Sequence, residues 1–312
     1  MSDLIEKNNL YVITYPAAEE CLCRLEMKCL FQKDIKENYF FSDRNIDPAR
    51  SPYIRHVLSI MYQADSLEAL AGLLRENEAA FGNFKFAHFK AGNGELGYRE
   101  WIDSVTILGA AIDGETDMHS PSIVLGAIKI NGIWIFGHYR RNDNAWMDHN
   151  KKPHTNSHSI GLVPARALVN IALGGELRRT LVDPCCGVGT VVIEALSMGI
   201  NIKAYELNGG IAEKARLNLE ALGLSDVITS GDMHGITENF DAAIVDIPYG
   251  LFTPVTREGQ VGIIKTARRI SRRAVILTCE DMDGIIAAEG FKIVDGCHID
   301  KGNFRRYVRV CK

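Results

Sequence analysis

With 312 residues, 46% of them apolar and 24% charged, the chain is long enough for two domains with real cores, and its composition excludes a disordered or fibrous protein. A net charge of −4 is not that of a general polyanion binder; residues 1–137 carry −6 and residues 138–312 carry +2, so any nucleic-acid contact must rest on local patches. The eight cysteines form no CxxC pair, no secretory leader is evident, and no uncharged apolar run approaches the roughly 18 residues of a membrane span, so the expectation is a reducing cytoplasm, no membrane and no metal.

Residues 10–15 read as a strand and 17–31 as an amphipathic helix that opens on Glu19 and Glu20, the favourable sign for a helix N-terminus. Cys21, Cys23 and Cys29 fall in that helix and read as small buried hydrophobes. Short strands follow at 39–41 and 54–62. Ser66 is placed to cap a helix carrying Leu67, Leu70, Leu73 and Leu74, and 83–89 reads as a further strand. A helix over 98–111 precedes two strands, 123–130 and 133–139, joined by Asn131-Gly132, a strong hairpin signal. Trp101 and Trp134 read as core rather than as base-stacking rings. The first domain, residues 1–140, is therefore expected to be α+β.

Residues 138–158 are polar and without periodicity. They read either as a solvated connector, with the linker proper at 141–157, or as a phosphate-contacting patch made by Arg140, Arg141, Lys151 and Lys152. From Gly161 a regular alternation begins. A proline-started helix leads to a strand at 180–183, followed by helix 190–198, strand 201–205, helix 211–222, strands 227–229 and 240–245, helix 259–270, strand 273–278 and helix 282–288. Such alternation implies a parallel sheet covered on both faces. The last two strands, 291–299 and 304–311, are joined by too few residues for a parallel crossover and must be antiparallel neighbours.

In an open α/β sheet a ligand lies beyond the C-terminal strand ends, and four successive ends here finish in an acid: Asp183, Glu206, Asp232 and Asp246. Asp183 is followed by Pro184, Cys185 and the glycine turn Gly187-Val-Gly189, which leads into the next helix. A dinucleotide fingerprint would carry a third glycine where Val192 stands, and an acid at the strand end would repel a diphosphate while suiting an ammonium or a sulfonium. Glu206, 19 residues beyond Gly187, stands at the distance where such folds place a carboxylate on ribose hydroxyls.

The run Asp183-Pro-Cys-Cys-Gly-Val-Gly-Thr resembles motif I of class I S-adenosylmethionine-dependent methyltransferases, and Asp246-Ile247-Pro248-Tyr249 resembles the D-x-P-Y motif of enzymes that methylate ring-attached nitrogens. With His158-Ser-Ile-Gly-Leu-Val-Pro-Ala, which looks like the helix that closes over the cofactor, residues 158–312 are similar to the THUMP-containing tRNA guanine-N2-methyltransferase family. The resemblance implies a Rossmann-like catalytic domain with an antiparallel last strand behind a THUMP-like RNA-binding module, S-adenosyl-L-methionine as cofactor and tRNA as substrate. It assigns Asp183, Pro184, Cys185, Gly187, Gly189, Glu206, Asp232 and Met233 to the cofactor, with Asp232 accepting from the adenine amino group and Met233 packing on the base. It assigns Asp246, Ile247, Pro248 and Tyr249 to the reaction. An exocyclic amine is a poor nucleophile because its lone pair is delocalised, so Asp246 and the carbonyl of Ile247 would grip its hydrogens while Tyr249 stacks on the base. Ile247 stands where the family has its first proline.

Three other readings compete: adenine-N6 methylation of DNA or ribosomal RNA, for which an N-P-P-Y form is more typical; a non-catalytic RNA-binding protein that retains the fold; and a nicotinamide oxidoreductase, disfavoured by Val192.

Overall fold

The computed structural model describes residues 8–92, 96–155, 159–248, 255–301 and 304–312. The chain divides into two compact units, Met1–Thr14 with Ile35–Asp143, and Tyr15–Asp34 with Asn144–Lys312. Through the first half the elements run β1 (Asn9–Ile13), α1 (Glu20–Phe31), β2 (Tyr39–Ser42), β3 (Ile54–Ala64), α2 (Leu67–Glu76), β4 (Ala80–Ala87), α3 (Tyr98–Gly109), β5 (Asp113–Thr116), β6 (Ile123–Ile130) and β7 (Ile133–Arg141). The second half contains α4 (Leu162–Leu173), β8 (Leu181–Asp183), α5 (Thr190–Ser197), β9 (Ile202–Glu206), α6 (Gly209–Ala221), β10 (Ile228–Ser230), β11 (Phe240–Asp246), α7 (Arg257–Ile270), β12 (Ser271–Thr278), α8 (Asp283–Ala288), β13 (Ile293–Lys301) and β14 (Phe304–Cys311).

The first unit is a seven-stranded mixed sheet in the order β2-β1-β3-β7-β6-β4-β5. Strand alternation sends Phe136 to one face, where it meets Leu70, Leu74 and Leu108 of α2 and α3, and Ile135 to the other, where it packs with Leu10, Leu58 and Ile128. The Asn131-Gly132 hairpin forms with both residues at positive φ, 51° and 81°, and Ser66 Oγ accepts the Ala69 N–H at 3.1 Å as the α2 cap. Trp134 is buried in the first of these cores. β5 has no counterpart in the sequence reading because all four of its residues, Asp-Gly-Glu-Thr, are exposed and leave no apolar alternation to detect.

The second unit carries a sheet in the order β10-β9-β8-β11-β12-β14-β13, parallel except for β14, which pairs antiparallel with both β12 and β13. This is the class I methyltransferase arrangement, with the order reversing between β8 and β11. Two boundaries differ from the sequence expectation. Helix α1, read there as part of a domain over 1–140, belongs to the second unit: Glu26 is fully buried and accepts from Asn170 of α4 at 2.6 Å, and Lys28 pairs with Asp295 of β13 at 2.8 Å.

The second difference concerns the stretch read as a linker over 141–157. Its residues 144–155 fold onto the same unit as a 3-10 turn, Ala145–Lys151. Trp146 is buried beneath the Arg166 guanidinium, and His149 Nδ1 lies 2.6 Å from Glu194. Lys152, one of the four cations offered as a phosphate patch, is buried with Nζ 3.0 Å from Thr190 Oγ1, and Lys151 is paired with Asp148 at 3.0 Å. The polarity of this stretch reads as solvation, but Trp146, His149 and Lys152 find buried partners on α4 and α5, which lie far away in sequence. Among the described residues no helix is long and apolar enough to cross a membrane.

Candidate active site

At the point where the strand order reverses, β8, β9 and β11 deliver their terminal acids to one pocket of about 730 Å³. Asp183, Pro184, Cys185, Gly187, Glu206, Asp232, Met233, Asp246, Ile247 and Pro248 all line it. Gly189 does not; it is the N-cap of α5, at φ +83°, with the Cβ of Ala215 3.5 Å from where a side chain would begin. Tyr249 lies outside the described residues, as does His158. The helix expected to close over a cofactor contributes less than the residues just before it. α4 is almost wholly buried, and it is Ser159 and Ile160 that reach the pocket.

The glycine turn forms the floor. Gly187 has φ +55°, a conformation that disfavours any side chain, and a Cβ built on it would meet nothing within 4 Å, so the bare backbone is open to a ligand. Glu206 ties this loop down, with Oε2 accepting the Gly187 N–H at 3.0 Å and Oε1 the Asn208 N–H at 2.8 Å. Asp232 caps the turn Met233–Gly235 through a 2.8 Å bond from the His234 N–H to Oδ1. Met233 is buried and receives the Cys185 thiol at 3.6 Å, while Leu207 across the pocket is 68% exposed. An exposed leucine and a methionine thus give the cavity apolar walls suited to a planar base.

The electrostatics are those of a site built for cations. Burial pushes the Asp183 carboxyl up to about 8, with the neighbouring Asp246 and Glu206 carboxylates adding to it and the Cys185 N–H, 3.2 Å from Oδ1, opposing it. Burial likewise pushes Asp246 up to about 6, opposed by the Arg306 guanidinium, whose Nη2 is 3.5 Å from Asp246 Oδ2. Asp246 Oδ1 is buried and has no hydrogen-bond partner among the described residues. The thiols of Cys185 and Cys186 are raised by burial and by the same carboxylates, which makes them poor nucleophiles.

The loop after Asp246 is braced from two sides. The Ile247 N–H donates to Leu277 O at 3.0 Å, extending the β11–β12 ladder, and Gln260 of α7 donates to Pro248 O at 3.1 Å. The first bond gives a reason for isoleucine where the resembled family has proline: proline has no N–H to donate. Ile247 itself is 2% exposed and packs in the core beneath.

Sequence reasoning missed Arg306, Asn208, Leu207 and Ser159. Arg306 sits in an Arg-Arg-Tyr-Val-Arg run that reads as a strand with solvated charges, and only its 7% exposure sets it apart. The arginine pairs 268/269 and 272/273, at the end of α7 and the start of β12, are mostly engaged in holding the fold. Arg268 donates to Gly290 O at 2.9 Å, Arg269 to His234 O at 3.0 Å and Arg273 to Ile171 O at 3.1 Å, leaving Arg272 exposed.

Residues 161–261 match the UPF0020 family, described as an RMKL-like methyltransferase domain. A tRNA (guanine(10)-N2)-dimethyltransferase from Pyrococcus abyssi is 33% identical over 155 residues, 44% of this chain and 45% of that protein. One of the same name from Methanothermobacter thermautotrophicus is 30% identical over 166 residues, 48% of each. The chain therefore spans about half the length of the curated relatives it matches. The solved structure of TrmN from Thermus thermophilus aligns over 97% of this chain and 99% of its own, at 17% identity and a TM-score of 0.48. The segment that bears the glycine turn, Glu206, Asp232 and Asp246 is thus the one similar to the RMKL-like methyltransferase domain.

Proposed function

We propose that the protein transfers a methyl group from S-adenosyl-L-methionine to the exocyclic N2 of a guanine in RNA, with tRNA as the substrate class. The observation that carries this reading is Asp246: a carboxylate on the pocket wall whose Oδ1 is buried and has no hydrogen-bond partner among the described residues. A buried acceptor without a donor is costly, and an N–H of an exocyclic amine would satisfy it. The names of the two curated relatives support guanine N2 in tRNA over adenine N6.

The pocket's other residues suit the cofactor. Asp183 offers a buried acceptor for an ammonium, Glu206 retains lone pairs for ribose hydroxyls beyond its two backbone donors, and Asp232 with Met233 and Leu207 can receive an adenine. When bound, the cofactor supplies an electrophilic methyl on a sulfonium. Asp246 would accept one amine hydrogen and the carbonyl of Ile247 the other, turning the nitrogen lone pair out of conjugation and toward the methyl. The nitrogen that takes the methyl would become cationic, and Asp246 would accept the proton it releases.

The test is methyl transfer from labelled S-adenosylmethionine to tRNA from a strain lacking this protein, followed by nucleoside analysis. Label in N2-methylguanosine or its dimethyl form, absent with Asp246→Ala, is the expected result. Label in N6-methyladenosine would replace guanine by adenine. No label in a protein that binds the cofactor would favour an RNA-binding role without catalysis.

A further inference from the structure

The C-terminal strand β14 carries three arginines whose surroundings differ. Arg305 is paired with exposed Asp300 at 2.7 Å and Arg309 with Asp283 at 2.6 Å, both ordinary surface or rim pairs. Arg306 points the other way. It is 7% exposed and its Nη2 lies 3.5 Å from Asp246 Oδ2. The register shows the reach this requires. Tyr307 of β14 stands opposite Thr278 of β12, and Leu277 of β12 stands opposite Asp246 of β11, so Arg306 extends across β12 to a residue two strands away. Two strand spacings are about 10 Å, a span that calls for an arginine-length side chain. A cation is costly to bury on a strand whose other two arginines find partners at or near the surface, and the ion pair with Asp246 offsets that cost.

We infer that Arg306 is a positioning residue for the transfer: it engages Asp246 through Oδ2, keeps the carboxylate ionised, and thereby leaves Oδ1 as the open acceptor for the target amine. The inference rests on the function proposed above. The groups that face Asp246 from the surrounding elements are Asp183 at the end of β8, Cys185 in the glycine turn and Cys279 after β12. The acid repels a second charge and neither thiol supplies a positive one, so among the described residues Arg306 is the cation that opposes protonation of Asp246. Through the step itself Arg306 keeps its own protons. The amine proton goes to Oδ1, and loss of that proton to water after product release restores the pair.

The experiment is a carbon-13 carboxylate titration of aspartate-labelled protein, wild type against Arg306→Met and Arg306→Lys, with the Asp246 signal assigned by its absence in Asp246→Asn. The midpoint should rise by about one pH unit or more in Arg306→Met and less in Arg306→Lys. In transfer assays the acidic limb of the pH–rate profile should move the same way, and kcat should fall by about tenfold or more with the KM for the cofactor unchanged. An unmoved midpoint in a folded Arg306→Met protein overturns the inference, and so does an unmoved pH–rate limb. Should Arg306→Met fail to fold, Arg306→Lys decides by the same readings. Absence of guanine methylation by the wild-type protein would strike the proposed function alone, since the titration reads the hold of Arg306 on Asp246 without turnover.

Discussion

Two groups of carboxylates in the second unit have opposite surroundings. Glu194 on α5 is fully buried and saturated, with Arg166 Nη1 at 2.6 Å from one oxygen and His149 Nδ1 at 2.6 Å from the other. Asp183, at the end of β8, is buried almost as deeply and Asp246, at the end of β11, is partly buried, yet among the described residues Asp183 accepts from one backbone N–H, and Asp246 has one 3.5 Å ion pair and an Oδ1 without a hydrogen-bond partner. Burial alone therefore does not mark a site. A saturated acid has completed its chemistry within the fold, whereas an under-paired one keeps a capacity that only a ligand can fill.

The contrast breaks most sharply at Asp246. Asp246→Ala should reduce methyl transfer by about a thousandfold or more, the scale of losing both an oriented acceptor and a proton acceptor, while the thermal midpoint falls less than in Glu194→Ala, because the longer 3.5 Å pair with Arg306 is lost but an under-paired carboxylate goes with it. Radiolabel incorporation and calorimetry on the same preparation would test both halves; a large loss of stability would mean that Asp246 belongs with Glu194. The reverse is expected of Glu194→Ala, which strands Arg166 and should cost about 3–5 kcal/mol of folding free energy in urea unfolding. Cofactor affinity measured below the new melting point should be kept.

The difference between the two groups was only half legible in the sequence. Strand ends finishing in Asp183, Glu206, Asp232 and Asp246 could be read because β-strand spacing and glycine turns are local signals, and their convergence follows from parallel topology. The partners of Glu194 could not be, because His149 and Arg166 lie 45 and 28 residues away and nothing in a polar stretch announces which side chain turns inward. The same holds for Lys152 and for Arg306. α1 was legible as a helix but not as a member of the second unit, since its partners Asn170 and Asp295 come more than a hundred residues later.

A gentler probe is pH. The folded-state pKa of Asp183, about 8, and of Asp246, about 6, lie above the unfolded carboxylate value of about 4. Between these limits the folded protein holds protons on these two groups that the unfolded chain has released, so their contribution to the stability of the ligand-free fold is fully present in mild acid and is lost as pH rises from about 4 to about 8. Asp183→Asn should flatten that decline in a series of thermal melts while weakening cofactor binding. Binding of a cationic ligand favours the ionised forms and should release protons near neutral pH, which calorimetry in two buffers of different ionisation enthalpy would detect. Methyl transfer runs the other way from stability and should rise with pH through about 6 as Asp246 ionises.

The smallest effect separates backbone from side chain at the same strand end. Ile247 donates its N–H to Leu277 O while its side chain fills the core, so Ile247→Pro removes one ladder hydrogen bond and part of an apolar side chain. The lost bond alone is worth about 1 kcal/mol, and the shortened side chain adds about as much again. Yet the substitution keeps the carbonyl that the transfer is proposed to use and restores the proline of the resembled family. The expected result is therefore a lower urea midpoint with kcat changed by less than about threefold. If transfer falls in step with stability, or beyond it, the Ile247 side chain and not its carbonyl is what the site requires, and the acceptor pair assigned to the amine would lose its second member.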